Sequence, residues 1–121
     1  MNAISDFTDT ERQTVQSAIA ERWADEPIGL HLADVELKLR PEDRRPSTCP
    51  ALFWNHGECN FVITKTGDSR YRCQFFYNNE LEQMGTGVDE FDNIGDCAVA
   101  LLRTQADDES VRTGAFPEGR R

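Results

Sequence analysis

The apolar residues of this chain change their spacing twice, and that change limits the fold more than any other feature. Between residues 8 and 25 they recur at helical intervals, with Val15, Ala18, Ile19 and Trp23 on one stripe. Thr8 and Glu11 stand three apart just ahead of the stripe. That is the spacing of a capping box, in which each side chain satisfies the other residue's backbone N–H. Pro27 disfavours helical geometry at Glu26, so the helix is expected to end near residue 25. From Leu30 the interval becomes two. Val35, Leu37 and Leu39 alternate with Glu36, Lys38 and Arg40, as in a strand with one buried face. Leu30 and Leu32 have the opposite parity, which requires a bulge or bend near Ala33–Asp34 if one strand spans both.

A hairpin follows. Cys59–Lys65 and Arg70–Tyr77 are strand-like on either side of Gly67, Asp68 and Ser69. A two-residue Gly67–Asp68 loop would set Ile63 against Arg72 and Phe61 against Gln74. A three-residue loop sets Ile63 against Cys73 and Phe61 against Phe75, and is expected because it keeps one face apolar. Phe61, Ile63, Tyr71, Cys73 and Phe75 then point inward, and Asn60, Val62, Thr64, Arg72, Gln74 and Phe76 outward. Residues 40–50, with three prolines and five charges, read as an exposed loop, and Ala51–Trp54 as a short extra strand before a turn at Asn55–Gly57. Helical spacing returns with Phe91, Ile94, Ala98 and Leu101, capped by Asp89 or Asp92. Gly95 weakens its first turn by about 1 kcal/mol relative to Ala. The expected fold is α+β: an antiparallel sheet of three to five strands with two helices on one face, in the order α-β-β-β-α. One domain covers residues 1–106, and 107–121 form a charged, flexible tail.

Thirteen Lys and Arg against twenty-two Asp and Glu leave a net charge of -9 on 121 residues. Such a field repels phosphates and anionic lipid, so neither direct nucleic-acid binding nor membrane binding is expected. The longest apolar run, Ala98–Leu102, is too short to cross a bilayer, and Met1–Asp9 lacks the parts of a secretory signal. A cytoplasmic protein with reduced thiols is the expectation. The charge is uneven: residues 38–72 hold seven basic and four acidic side chains, the rest six and eighteen. Helix, three strands and helix is also the element order of double-stranded RNA-binding domains. Where those carry lysines at the start of the second helix, this chain has Asp89, Glu90, Asp92 and Asp96, so the likeness stops at element order.

The chemistry-bearing motifs are sparse. No nucleophile elbow, zinc-protease helix, phosphate loop or dinucleotide fingerprint is present. Cys49, His56 and Cys59 are of zinc-ligand type, and His56-x-x-Cys59 has a workable spacing. No Cys-x-x-Cys supports them, and strand parity turns Cys59 and Cys73 into the core. The favoured reading is a small acidic, non-catalytic accessory domain that binds another protein with a basic surface and needs no cofactor. Its contacts would come from Asp89, Glu90, Asp92 and Asp96 on the helical side, or from Arg72, Phe76, Arg44 and Arg45 on the sheet side. Two alternatives stand beside it. One is a nucleic-acid mimic that inhibits a nuclease or DNA-binding complex. The other is a zinc-stabilised module or small Cys/His enzyme built on Cys49, His56 and Cys59.

Overall fold

The capping box forms at the start of α1 (Asp9–Arg22): the Glu11 N–H donates to Thr8 Oγ1 at 3.0 Å, and the Thr8 N–H donates to Glu11 Oε1 at 2.7 Å. The structure, a computed structural model, describes residues 4–80 and 82–112. Four strands follow α1, namely β1 (His31–Leu37), β2 (Ser47–His56), β3 (Cys59–Gly67) and β4 (Arg70–Tyr77), and then α2 (Ile94–Arg112). The strands form one antiparallel meander in the order β1-β2-β3-β4. The fold is α+β, helix, four-strand antiparallel sheet, helix, within the expected three to five strands, and the strand additional to the order α-β-β-β-α contains the short Ala51–Trp54 strand read from the sequence.

The added strand is β2. Residues 47–50 are not loop but its first four residues, and Cys49 and Pro50 are buried. Charge and proline mark residues 40–46 correctly as a connection, but proline does not exclude the start of a strand. Pairing of β2 with β3 begins at Ala51, just past Pro50, which has no N–H to give. Pairing of β1 with β2 runs without interruption from His31↔Phe53 to Leu37↔Ser47, so the expected bulge at Ala33–Asp34 is absent. The parity change is satisfied differently. Leu30 packs on the core side, whereas Val35 lies opposite Cys49, outside the main core cluster.

The hairpin register is as expected, with Phe61↔Phe75 and Ile63↔Cys73. Its turn is tighter: Gly67 pairs with Arg70, leaving Asp68 and Ser69 in the loop, and the extra residue becomes a bulge between Lys65 and Gly67. Ser69 adopts a positive φ of 54° there. The inward faces of β2, β3 and β4 meet both helices. Val15, Ile19 and Trp23 of the first helical segment and Ile94, Cys97, Ala98, Leu101 and Leu102 of α2 join Leu52, Trp54, Phe61, Ile63, Tyr71 and Phe75 in one core. Trp54 stacks on Phe61 with centroids 5.1 Å apart, and Trp23 meets Phe61 edge-on at 5.7 Å.

The two helices lie side by side and run in the same direction. Thr14 touches the position of Gly95, and Arg22, one end further on, donates to Gln105 at 3.4 Å and to Glu109 at 3.2 Å. A Cβ on Gly95 would sit 3.5 Å from Thr14 Cγ2 and 3.1 Å from Asn93 Oδ1. Close approach therefore accounts for a residue that helix propensity disfavours. The cap of α2 is Asn93, whose Oδ1 accepts from the Asp96 N–H at 2.9 Å, in place of Asp89 or Asp92. Phe91 is not on the helix either. It bridges to Tyr71 through two backbone hydrogen bonds of 2.7 and 2.9 Å, as Met84 does to Phe75 with two of 2.8 Å. The helix continues past Gln105 to Arg112, which is tied to Glu80 and Asp108 and lies over the Tyr77 ring at 4.1 Å. Residues 113–121 of the expected tail lie outside the described residues. Among the described residues no helix is long and apolar enough to cross a membrane.

Candidate functional site

Because both helices pack on one side of the sheet, no helix or strand among the described residues covers the other side. Register places the side chains of that outer face. Phe53 lies opposite Val62, Val62 opposite Gln74, and Phe76 opposite Asn60. Phe53, Val62 and Phe76 thus make a diagonal apolar stripe across β2, β3 and β4, with Asn55, Asn60 and Gln74 around it. Val62 in the middle is 6% exposed, and the two aromatic rings flanking it are half-buried. Phe76, expected on this face, is there. Phe53 joins it because β2 is long enough for its parity to count.

Toward the β3–β4 turn the same face is closed by a side chain. Arg72 Nη2 donates to the Leu39 carbonyl at 3.3 Å, linking β4 to the segment that follows β1, the strand at the opposite edge. The row it spans is Thr64, opposite Arg72, and Ala51, opposite Thr64, and both are buried. Its positive charge reaches the Cys49 thiol. Arg72 Nε also lies 3.6 Å from Glu90, which accepts from Thr66 Oγ1 at 2.7 Å and from Arg70 Nη1 at 3.1 Å. Burial disfavours the charged form of Glu90, but the Thr66 hydroxyl and the two guanidinium groups outweigh it and hold the carboxyl below its usual range. An open cavity of about 480 Å³ lies here among Arg40, Asp43, Ser47, Arg70, Arg72 and Glu90.

The structure therefore divides the charged residues that the sequence grouped. Asp89, Asp92 and Asp96 face solvent around the start of α2, whereas Glu90 is committed to Thr66, Arg70 and Arg72. Arg44 and Arg45 are exposed in the β1–β2 connection. Arg72, its side chain still 39% exposed, is held by the Leu39 carbonyl and Glu90.

The zinc-type residues are spread out. Cys49 and His56 are seven positions apart on one extended strand, about 23 Å, and point to opposite faces. Cys59 lies directly opposite His56. The His56 ring stacks on Trp23 at 4.4 Å, and its Nε2 is 3.0 Å from the Glu26 carboxylate. Among the described residues no three His, Cys, Asp or Glu are grouped to hold a metal ion. Burial, reinforced by Glu109 and Asp108, pushes the Cys59 thiol up to about 12, and burial also raises Cys49. Neither is held as the thiolate that a nucleophile or a metal ligand requires. Cys73 and Cys97 touch across β4 and α2; the contact and burial raise Cys97, and the same contact lowers Cys73.

One polar cluster escaped the sequence reading. Lys65 Nζ donates to Glu11 Oε1 and to the Asp6 carbonyl, both at 3.0 Å, and the Tyr71 hydroxyl donates to Glu11 Oε2. Lys65 continues the inward parity of Phe61 and Ile63, and a lysine on a buried parity is the signal that a carboxylate must meet it.

This geometry defines a small α+β domain whose sheet, among the described residues, carries helices on one side only. No family model, curated protein or solved structure matches the chain.

Proposed function

We propose that this is a non-catalytic protein-binding domain whose contact surface is the outer face of the sheet, centred on Phe53, Val62 and Phe76. The observation that carries the reading is an apolar stripe two aromatics wide, on a face over which no helix or strand of the described residues lies. Aromatic anchors ringed by amide side chains are the usual make-up of an interface centre and rim. Asn55, Asn60 and Gln74 supply that rim. The buried, protonated state of Cys49 and Cys59 gives nucleophilic chemistry no support.

The test is capture of partners from the native host by the wild type and by a Phe53→Glu/Phe76→Glu variant of equal melting temperature, across a salt series. The variant should lose the proteins that the wild type retains, and the loss should persist at high salt because apolar contact is not screened. Equal capture by both proteins would move the interface off this face.

A further inference from the structure

The β1 edge of the sheet carries a second and separate inference. A meander of four strands has two edges. The β4 edge is occupied, since Tyr71 and Phe75 exchange backbone hydrogen bonds with Phe91 and Met84. β1 pairs with β2 alone among the described residues, so every second residue of His31–Leu37 directs its N–H and C=O outward with no backbone partner. Such a row is a template for another strand.

The side chains say which strand fits. On the helix side β1 presents Leu32, Asp34 and Glu36, and Leu32 is 48% exposed. Both carboxylates are exposed and have no ion-pair partner among the described residues. The other face presents Ala33, Val35 and Leu37, in line with Ala51, Cys49 and the outer sheet face. A second copy of the chain fits poorly. Antiparallel self-pairing centred on Asp34 sets Asp34 against itself, pairing centred on Val35 sets Asp34 against Glu36 twice, and pairing centred on Ala33 sets Asp34 against Leu32 twice, leaving the carboxylates without a cation. Like charges directly opposite one another destabilise a strand pair.

We infer that the free edge of β1 accepts an extended peptide of alternating basic and apolar residues as a fifth strand, with its cations opposite Asp34 and Glu36. Its apolar residues would lie opposite Leu32, Ala33, Val35 and Leu37 and widen the apolar outer face by one strand. The carboxylates that oppose self-pairing thus choose the partner's charge.

The probe is a fluorescein-labelled heptapeptide, Val-Lys-Val-Lys-Val-Leu-Thr, followed by fluorescence anisotropy at low ionic strength. It is expected to bind the wild type about ten-fold more tightly than Val-Glu-Val-Glu-Val-Leu-Thr does, the ratio that two cross-strand charge pairs supply. An Asp34→Lys/Glu36→Lys variant should reverse that preference. Two further basic probes, N-methylated at alternate sets of backbone nitrogens, separate strand addition from simple charge attraction: the set facing the edge should abolish binding. Absence of charge discrimination, or equal binding by both methylated probes and the parent, overturns the inference. The Phe53→Glu/Phe76→Glu variant should retain the probe, so failure of the sheet-face reading and failure of the edge reading give different results.

Discussion

Removing the charge of Glu11 should cost this protein a large part of its stability, although Glu11 sits at the exposed-looking start of a helix. The Lys65 side chain is 4% exposed and that of Glu11 13%, with 3.0 Å between Nζ and Oε1. Glu11→Gln keeps one acceptor oxygen for the Thr8 N–H, and its amide N–H can donate to the Tyr71 oxygen where the hydroxyl donated before, so the charge is removed with little change of shape. It leaves the buried Lys65 ammonium with neutral acceptors and no counter-charge, a loss of about 3 kcal/mol, at the lower end for a broken buried pair. Against a total of about 5–15 kcal/mol, that is a substantial fraction. It corresponds to roughly 12 °C in melting temperature for a chain of this size. Lys65→Met should cost a similar amount, because it strands the carboxylate. The double variant should cost less than the sum by at least about 1 kcal/mol, since neither charge then remains. Urea titrations read by circular dichroism supply all four free energies, and an unchanged slope would confirm that the unfolded reference is common to them. The pH dependence has a definite sign. Burial pushes the Glu11 carboxyl up, but bonds from Tyr71, Thr8 and Lys65 prevail and hold it below its ordinary range. A carboxyl lowered by folding stabilises at neutral pH, and this share is lost as pH falls from about 5 through the folded value. In Glu11→Gln that acid loss should be smaller. Single-variant losses below about 1 kcal/mol, with no coupling, would falsify the view of this cluster as a buried ion pair.

Arg72→Ala should open the outer face over Ala51 and Thr64, so that native-state alkylation mapped by mass spectrometry finds Cys49 modified faster than in the wild type. An unchanged rate would mean that Arg72 does not shield it. Asn93→Ala should cost about 1 kcal/mol in thermal or urea unfolding, the value of a helix N-cap, whereas Asp92→Ala should change stability by less than about 0.5 kcal/mol. The opposite ranking would return the cap to Asp92.

How much of this was legible depended on whether a residue's role was local or relational. The capping box at Thr8 and Glu11 and the hairpin register at Phe61↔Phe75 were readable, because each involves neighbours or one face kept apolar. Residues 47–50 misled because proline and nearby charge mark loops on average, while the start of a strand tolerates both. Val35 and Leu37 showed true alternation, but alternation does not say which side holds the helices, and here they face away from them. Phe53 could not be placed until β2 had its full length. Of the proposed contact residues, Phe76 was placed on the correct face, whereas the engagement of Arg72 and Glu90 with each other depends on a fold-level approach between β4 and the segment before α2. Asn93 lost the cap assignment to Asp89 and Asp92 because Asn and Asp suit that position equally.

The parallel packing of α1 against α2 has a consequence for the order in which the molecule can form. The Arg22–Gln105 contact joins residues 83 positions apart, and the whole sheet lies between them in sequence. During synthesis the meander can pair as it emerges, since each strand neighbours the next. Its inner aromatic face, with Trp54, Phe61 and Phe75, stays open on one side until α2 has left the ribosome. Closure of the core is therefore a late, long-range step, and the nascent chain is most prone to aggregate in the interval after β4 is complete and before α2 arrives.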